Sequence, residues 1–109
     1  MSVASSNYVL LMSATSPDDQ YSIGQHIVRA GKKGRLYSKE NGQSQITCVS
    51  GEGQIIIMHP PHTLPDGSIF NFNRGDTHKI NEGADFMIVN TDDNNILIAI
   101  EIDQPRKLS

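Results

Sequence analysis

A chain of 109 residues makes one domain, long enough for a real core and too short for two. With 9 Lys and Arg against 12 Asp and Glu, the formal charge of −3 and the scattered basic residues argue against a nucleic-acid footprint. Tryptophan is absent and aromatics make up only 6% of the residues, so Ile, Val, Leu and Met must fill the core, a composition that suits strands better than helices.

Strand-like runs recur along the chain, separated by Gly, Pro, Asn and Asp, and no stretch carries a helical period. In chain order the predicted strands are Asn7 to Ser13, Tyr21 to Arg29, Arg35 to Ser38, Gln45 to Ser50, Gln54 to His59, Ser68 to Phe72, Thr77 to Ile80, Ala84 to Asn90 and Asn95 to Asp103. Turns are expected at Ser16-Pro17-Asp18-Asp19, Asn41-Gly42, Gly51-Glu52-Gly53, Pro65-Asp66-Gly67 and Asp92-Asp93-Asn94. The ends, Met1 to Ser6 and Gln104 to Ser109, are expected to be loosely held. The pattern is that of an all-β barrel or sandwich without internal repeats. The apolar run Tyr8-Val9-Leu10-Leu11-Met12 is too short to span a bilayer and follows no basic residue, so neither a membrane segment nor a signal peptide is expected. The single cysteine, Cys48, has no partner for an internal bridge and reads as a small buried hydrophobe in a cytoplasmic protein.

Alternation assigns faces. Ser44, Ile46 and Cys48 share the apolar side of their strand and should face the interior, with Gln43, Gln45 and Thr47 towards solvent. In the last strand Ile96, Ile98, Ile100 and Ile102 share one face, with Leu97 and Ala99 opposite, so both faces are apolar near its middle. Its outer side needs a cover, either a second subunit in a homodimer or the N-terminal strand of the same chain.

Two stretches carry a regular spacing. Gly31 is followed after five residues by Tyr37, then after one by Lys39, after four by Ser44 and after six by Gly51. Gly67 leads through five residues to Asn73, then Gly75, His78 and Glu82, with fifteen residues between Gly51 and Gly67. These intervals resemble the two motifs of the cupins, G-x5-H-x-H-x3/4-E-x6-G and G-x5-P-x-G-x2-H-x3-N. The resemblance implies a cupin-like double-stranded β-helix, or jelly-roll barrel, with a core of about residues 21 to 102 inside a single domain, 1 to 109. Where a typical cupin has two histidines and a glutamate, this chain has Tyr37, Lys39 and Ser44, while Asn73 and Glu82 replace proline and asparagine. Only His78 keeps a ligand-type side chain. Zinc or ferrous iron needs about three imidazole, carboxylate or thiolate ligands, so the resemblance implies a site without metal or other cofactor unless Glu40 or His26 completes it.

Other features have two readings each. His26 is either a side chain on a sheet face or one pointing into the same cavity. His59 and His62 read as surface-loop histidines or as an incomplete ligand pair, and Asp76 as a turn carboxylate or as a partner orienting His78. The run Lys32-Lys33-Gly34-Arg35 is a solvated turn or a phosphate contact. Under the cupin register, Tyr37, Lys39, Ser44 and His78 converge at the barrel mouth. This set suits a small polar or anionic ligand, with Lys39 supplying charge and Tyr37 and His78 donating hydrogen bonds. The alternative is a metal-independent isomerase, epimerase or lyase with His78 as base, Tyr37 as acid and Lys39 stabilising an oxyanion. A purely structural plug of the barrel end is a third possibility.

Overall fold

The structure, a computed structural model, describes residues 5–15, 20–39, 42–58 and 68–104. Among them nine strands form: β1 (Ser6–Thr15), β2 (Gln20–Val28), β3 (Tyr37–Ser38), β4 (Gln43–Ser50), β5 (Gly53–Met58), β6 (Ser68–Asn71), β7 (Thr77–Ile80), β8 (Asp85–Asn90) and β9 (Leu97–Gln104). They build two antiparallel sheets, one in the order β1-β2-β9-β4-β7 and the other β3-β8-β5-β6. This is an all-β jelly roll. Every predicted strand is present, and the largest difference is β3, which keeps only two paired residues. Ahead of it the chain follows β8 irregularly, through a Lys33–Val89 bridge and a Gly34 N–H donated to the Ile88 carbonyl at 2.7 Å.

The core lies between the sheets because period-two patterning buries one face of each. In β4 the residues Ser44, Ile46 and Cys48 are inside, as the alternation predicts. In β5 and β8, Ile55, Ile57, Phe86 and Ile88 oppose them, and Phe72 and Ile80 fill the space near β7. The Cys48 thiol is buried, and burial pushes it above its ordinary range.

The motif spacing has a backbone cause. Gly31, Gly51 and Gly75 all have positive φ, 67°, 108° and 95°. At Gly51 a Cβ would also lie 2.9 Å from the Ile96 carbonyl oxygen, so any other residue would push the β4–β5 turn off β9. Gly67, with the turn at Pro65-Asp66-Gly67, the turn at Ser16 to Asp19, Asn41, Glu40, His59 and His62, lies outside the described residues. The substituted positions of the second motif have structural partners: Asn73 Oδ1 accepts from Gly53 N–H, and Glu82 Oε1 accepts from Gly42 N–H at 2.9 Å.

One expectation is corrected and two open alternatives are resolved. Ser6 and Gln104 are not loose ends; Ser6 opens β1 and is buried, and Gln104 pairs with Gln43. The inner face of β9 is the Leu97, Ala99 and Glu101 side, so the isoleucines point outward. The N-terminal strand does not lie over that outer face; it pairs edge-on with β2, because β1 and β2 register along their whole length with a bulge at Leu10/Met12. Ile96 and Ile102 therefore remain 47% and 41% exposed, as do Val9, Leu10, Leu11 and Met12 along the β1 edge.

Candidate functional site

Cross-strand register assembles one polar cluster at the end of the barrel where β4 begins and β9 ends. One row across the first sheet runs Ser22, Asp103, Ser44, Ile80; the next runs Gly24, Glu101, Ile46, His78; the third holds His26, Ala99 and Cys48. Since Ser44, Ile46 and Cys48 face inward, their partners on β9 and β2 do too. The interior row of an apolar strand thus carries two carboxylates. Opposite Glu101, Gly24 has no side chain, which leaves room for the Tyr8 ring; a Cβ at Gly24 would collide with that phenol. Beside it, small Ala99 leaves space for the imidazole of His26, which is only 1% exposed.

Buried polar atoms must be paired, and here they pair with each other. His26 Nε2 donates to Glu101 Oε1 at 2.7 Å, the tautomer a carboxylate partner selects. Ser44 Oγ lies 3.1 Å from Glu101 Oε2 and also bonds Asp103 Oδ1. Lys39 Nζ donates to Asp103 Oδ1 at 2.9 Å, and Ser22 Oγ to Asp103 Oδ2 at 3.1 Å. Rings close the upper side. His26 packs edge-on to Tyr37 at a centroid distance of 4.9 Å, Tyr37 stacks on Phe86 at 5.4 Å, and Tyr8 leans on His26 at 4.7 Å. The Tyr37 hydroxyl is the exception: it is buried and has no hydrogen-bond partner among the described residues.

The electrostatics follow from this packing. Burial pushes the Glu101 carboxyl up; its bond to His26 works against that, and neighbouring Asp103 adds to it. Burial would also raise Asp103, but hydrogen bonds with Glu101, Ser44 and Lys39 and the Lys39 charge outweigh it and hold the group at about 2. Burial, with the carboxylates of Glu101 and Asp103, lifts the Tyr8 phenol to about 12.

Three of the four residues expected at the site, Tyr37, Lys39 and Ser44, are brought together here, the last two through Asp103. His78 is not in this group. It shares the inward side of its row, but Ile46 stands between it and Glu101. Its Nε2 donates to the Asn71 carbonyl at 2.9 Å, and its ring packs against Phe70 and Phe72. Asp76 takes the turn role, accepting from Asn73 N–H at 2.8 Å. Of the two readings of His26, the structure gives the inward one. Glu101, Asp103 and Tyr8 are absent from the expected set. The signal for the two acids is their spacing, since Leu97, Ala99, Glu101 and Asp103 alternate along one face, but only knowledge of which β9 face is inner turns that into a site.

These side chains do not suit a transition metal. The ammonium of Lys39 bonds the carboxylate of Asp103, the Ser44 hydroxyl is a weak ligand, and no three His, Cys, Asp or Glu side chains among the described residues are grouped as a metal requires. No helix of the described residues is long and apolar enough to cross a membrane. The exposed Lys32, Lys33 and Arg35 lie outside the cluster, although the Arg35 guanidinium stands 5.8 Å from the centre of the Tyr37 ring.

No protein-family model matches this sequence, and no curated protein matches it. Solved structures do. A cupin domain from Bordetella pertussis Tohama I superposes with a TM-score of 0.67 at 11% identity, covering 97% of this chain and 99% of that one. Oxalate oxidase in complex with the substrate analogue glycolate gives 0.74 at 11% identity, with 98% of this chain covering 56% of that chain. Drosophila melanogaster CENP-C bound to CAL1 gives 0.64 at 13% identity, with 84% and 78% covered. At such identities the likeness is one of architecture, which joins unrelated functions. The chain has the cupin fold, a small jelly roll in which Tyr37, Lys39 and Ser44 stand at the spacing of the usual metal ligands.

Proposed function

We propose that this protein is a small-molecule-binding cupin-like domain whose site is the cluster of Tyr37, Lys39, Ser44, His26, Glu101 and Asp103, and that it works without a metal. One observation carries this reading. In a cluster whose other buried polar atoms are bonded, the Tyr37 hydroxyl is left unpaired, and leaving a buried hydroxyl unsatisfied costs about 1–3 kcal/mol that a hydrogen-bonding group of a ligand would recover. Lys39, Asp103 and Tyr8 connect the cluster to solvent, with the Lys39 and Asp103 side chains 14% and 18% exposed and Tyr8 36%. The ligand is small and polar. An anion would have to compete with Asp103 for Lys39.

The test is a thermal-shift screen with acidic, basic and neutral small molecules, repeated on Tyr37→Phe. Binding at this site requires hits whose stabilisation falls in Tyr37→Phe and persists in His78→Ala. Hits that ignore Tyr37, or none at all, would reject it.

An acid/base reading is favoured by the His26–Glu101 pair beside Tyr37. If a metal-independent isomerase, epimerase or lyase operates here, His26 takes the part of base expected of His78, with Tyr37 as acid. Loss of ligand signal over time, abolished in His26→Gln, would distinguish turnover from binding. We also propose a homodimer, supported by the apolar edge of β1 and the outward isoleucines of β9, and a cytoplasmic location, supported by the lone Cys48 thiol.

A further inference from the structure

We infer that the ligand of this cluster is a small organic cation, a protonated amine or amidinium, rather than an anion; this rests on the binding role proposed above. The charge of the cluster disfavours an anion. Glu101 and Asp103 share a proton and so carry one negative charge between them, which the Lys39 ammonium already matches, leaving no surplus cation for an anion to meet. Lys39 does not offer a free charge to an anion, because its Nζ is 2.9 Å from Asp103 Oδ1 in a place largely shielded from water.

The cluster's hydrogen-bonding protons are also too few. Four carboxylate oxygens accept about two hydrogen bonds each. The structure supplies donors from His26, Ser22, Lys39 and Ser44, together with the one proton shared between Glu101 and Asp103, which is still fewer than these oxygens can accept. Ser44 is contested: its one hydroxyl proton lies between Glu101 Oε2 and Asp103 Oδ1 and can go to only one of them. The cluster is therefore short of donors, and an ammonium brings three. An incoming carboxylate or phosphate brings only further acceptors.

An aromatic wall stands beside the cluster. Tyr8 and Tyr37 lie 6.2 Å apart by ring centroid, both against His26, and the negative faces of such rings attract cations. Arg35 at the Tyr37 ring is a cation already drawn to this wall. Ring faces and carboxylates together recognise an alkyl amine by its charge, its donors and its stem.

The experiment titrates the protein with propylammonium, putrescine and agmatine chlorides, and with propionate, glutarate and propionamide as controls of the opposite or no charge. Melting temperature and the backbone amide NMR shifts of residues 22, 44, 101 and 103 are followed. The expected result is stabilisation by the amines with shifts at those amides. Glu101→Gln and, independently, Asp103→Asn should weaken the amines by about tenfold or more, the value of one charge-assisted hydrogen bond. Lys39→Met should tighten them, since it removes the internal cation that competes for Asp103. Propionate or glutarate moving the same amides, with the amines inert, would overturn the inference while leaving the binding role standing; so would propionamide binding as well as the amines. If no compound moves those amides and only the proton does, as pH alone shifts them, both the inference and the binding role fall.

Discussion

The Lys39 ammonium and the Asp103 carboxylate meet at 2.9 Å across 64 residues of sequence, joining the start of β4's approach to the end of β9. Neither side chain is fully solvated, and Asp103 also holds Ser44 and Ser22. Removing one partner leaves the other charge part-buried and unmatched. Lys39→Met and Asp103→Asn should therefore each lower unfolding free energy by about 2 kcal/mol, and the double substitution by clearly less than the sum. Urea denaturation measures all three; additive losses would mean that the pair is screened by water.

The two carboxylates should respond to pH with opposite signs. Asp103 has a native value of about 2 against an ordinary 3.8, so its stabilisation is complete above 3.8 and is lost as pH falls towards 2. Glu101 is raised above its ordinary 4.5, so its contribution is complete below 4.5 and is lost as pH rises through the higher native value. Denaturation midpoints taken from acid to neutral pH should show the acid-side loss reduced in Asp103→Asn. In Glu101→Gln the loss on the rising side should disappear.

Tyr8 gives a local report on the same cluster. Its phenol titrates at about 12 because the ring is folded against Gly24, partly out of water and near two carboxylates. The native value lies above the ordinary 10.0, so this contribution to stability is present below 10.0 and is lost as pH rises to about 12. Gly24→Ala puts a methyl group where the phenol lies, and the partly exposed ring should swing out rather than force β2 away. Phenolate absorbance should then titrate near the ordinary value for that tyrosine, with the fold retained by circular dichroism. An unchanged titration would show that the ring does not depend on the gap at Gly24.

How much of this was legible depends on which physical signal carries each part. The strands were, because β4, β5, β7 and β8 alternate cleanly or sit between strong turn residues, and the glycines at 31, 51 and 75 mark backbone of positive φ. The inward pointing of Ser44 followed from Ile46 and Cys48. The inner face of β9 did not follow, since isoleucines line one side and Leu97 and Ala99 the other, and period alone cannot rank two apolar faces. Glu101 and Asp103 were hidden by that ambiguity. Tyr8 was hidden for a different reason: its place depends on a gap at Gly24 and on the pairing of β1 with β2, both non-local. His78 shows the limit of a spacing argument, which gives a residue's row and face but not whether Ile46 stands between it and the others.

The proposed homodimer has a defined surface. On β1 the exposed run from Val9 to Met12 carries no charge, and Ile102 extends the apolar surface on β9. Leu11→Lys or Ile102→Glu should lower the mass measured by light scattering to that of one chain, with little change in the circular dichroism spectrum. Leu97→Glu is a different experiment, since Leu97 is buried and a charge there would unfold the domain. A single-chain mass for the unmodified protein across a wide concentration range would refute the dimer.

His78 should prove structural. Its Nε2–H caps the Asn71 carbonyl at the end of β6, and its ring bridges Phe70 on that strand and buried Phe72 just beyond it. The contact ties β6, an edge strand of the second sheet, to β7, an edge strand of the first, and so helps to hold the two sheets together along that side. His78→Ala removes one hydrogen bond and part of a ring contact, worth about 1–2 kcal/mol together. His78→Gln keeps a donor and should recover part of it. Amide exchange should quicken at Phe70 and Phe72 in the alanine variant, while the chemical shifts of residues 44, 101 and 103 stay where they were. Large shifts at those three positions would mean that Ile46 does not insulate the cluster, and His78 would then belong with Lys39 and Tyr37 as the motif spacing suggests.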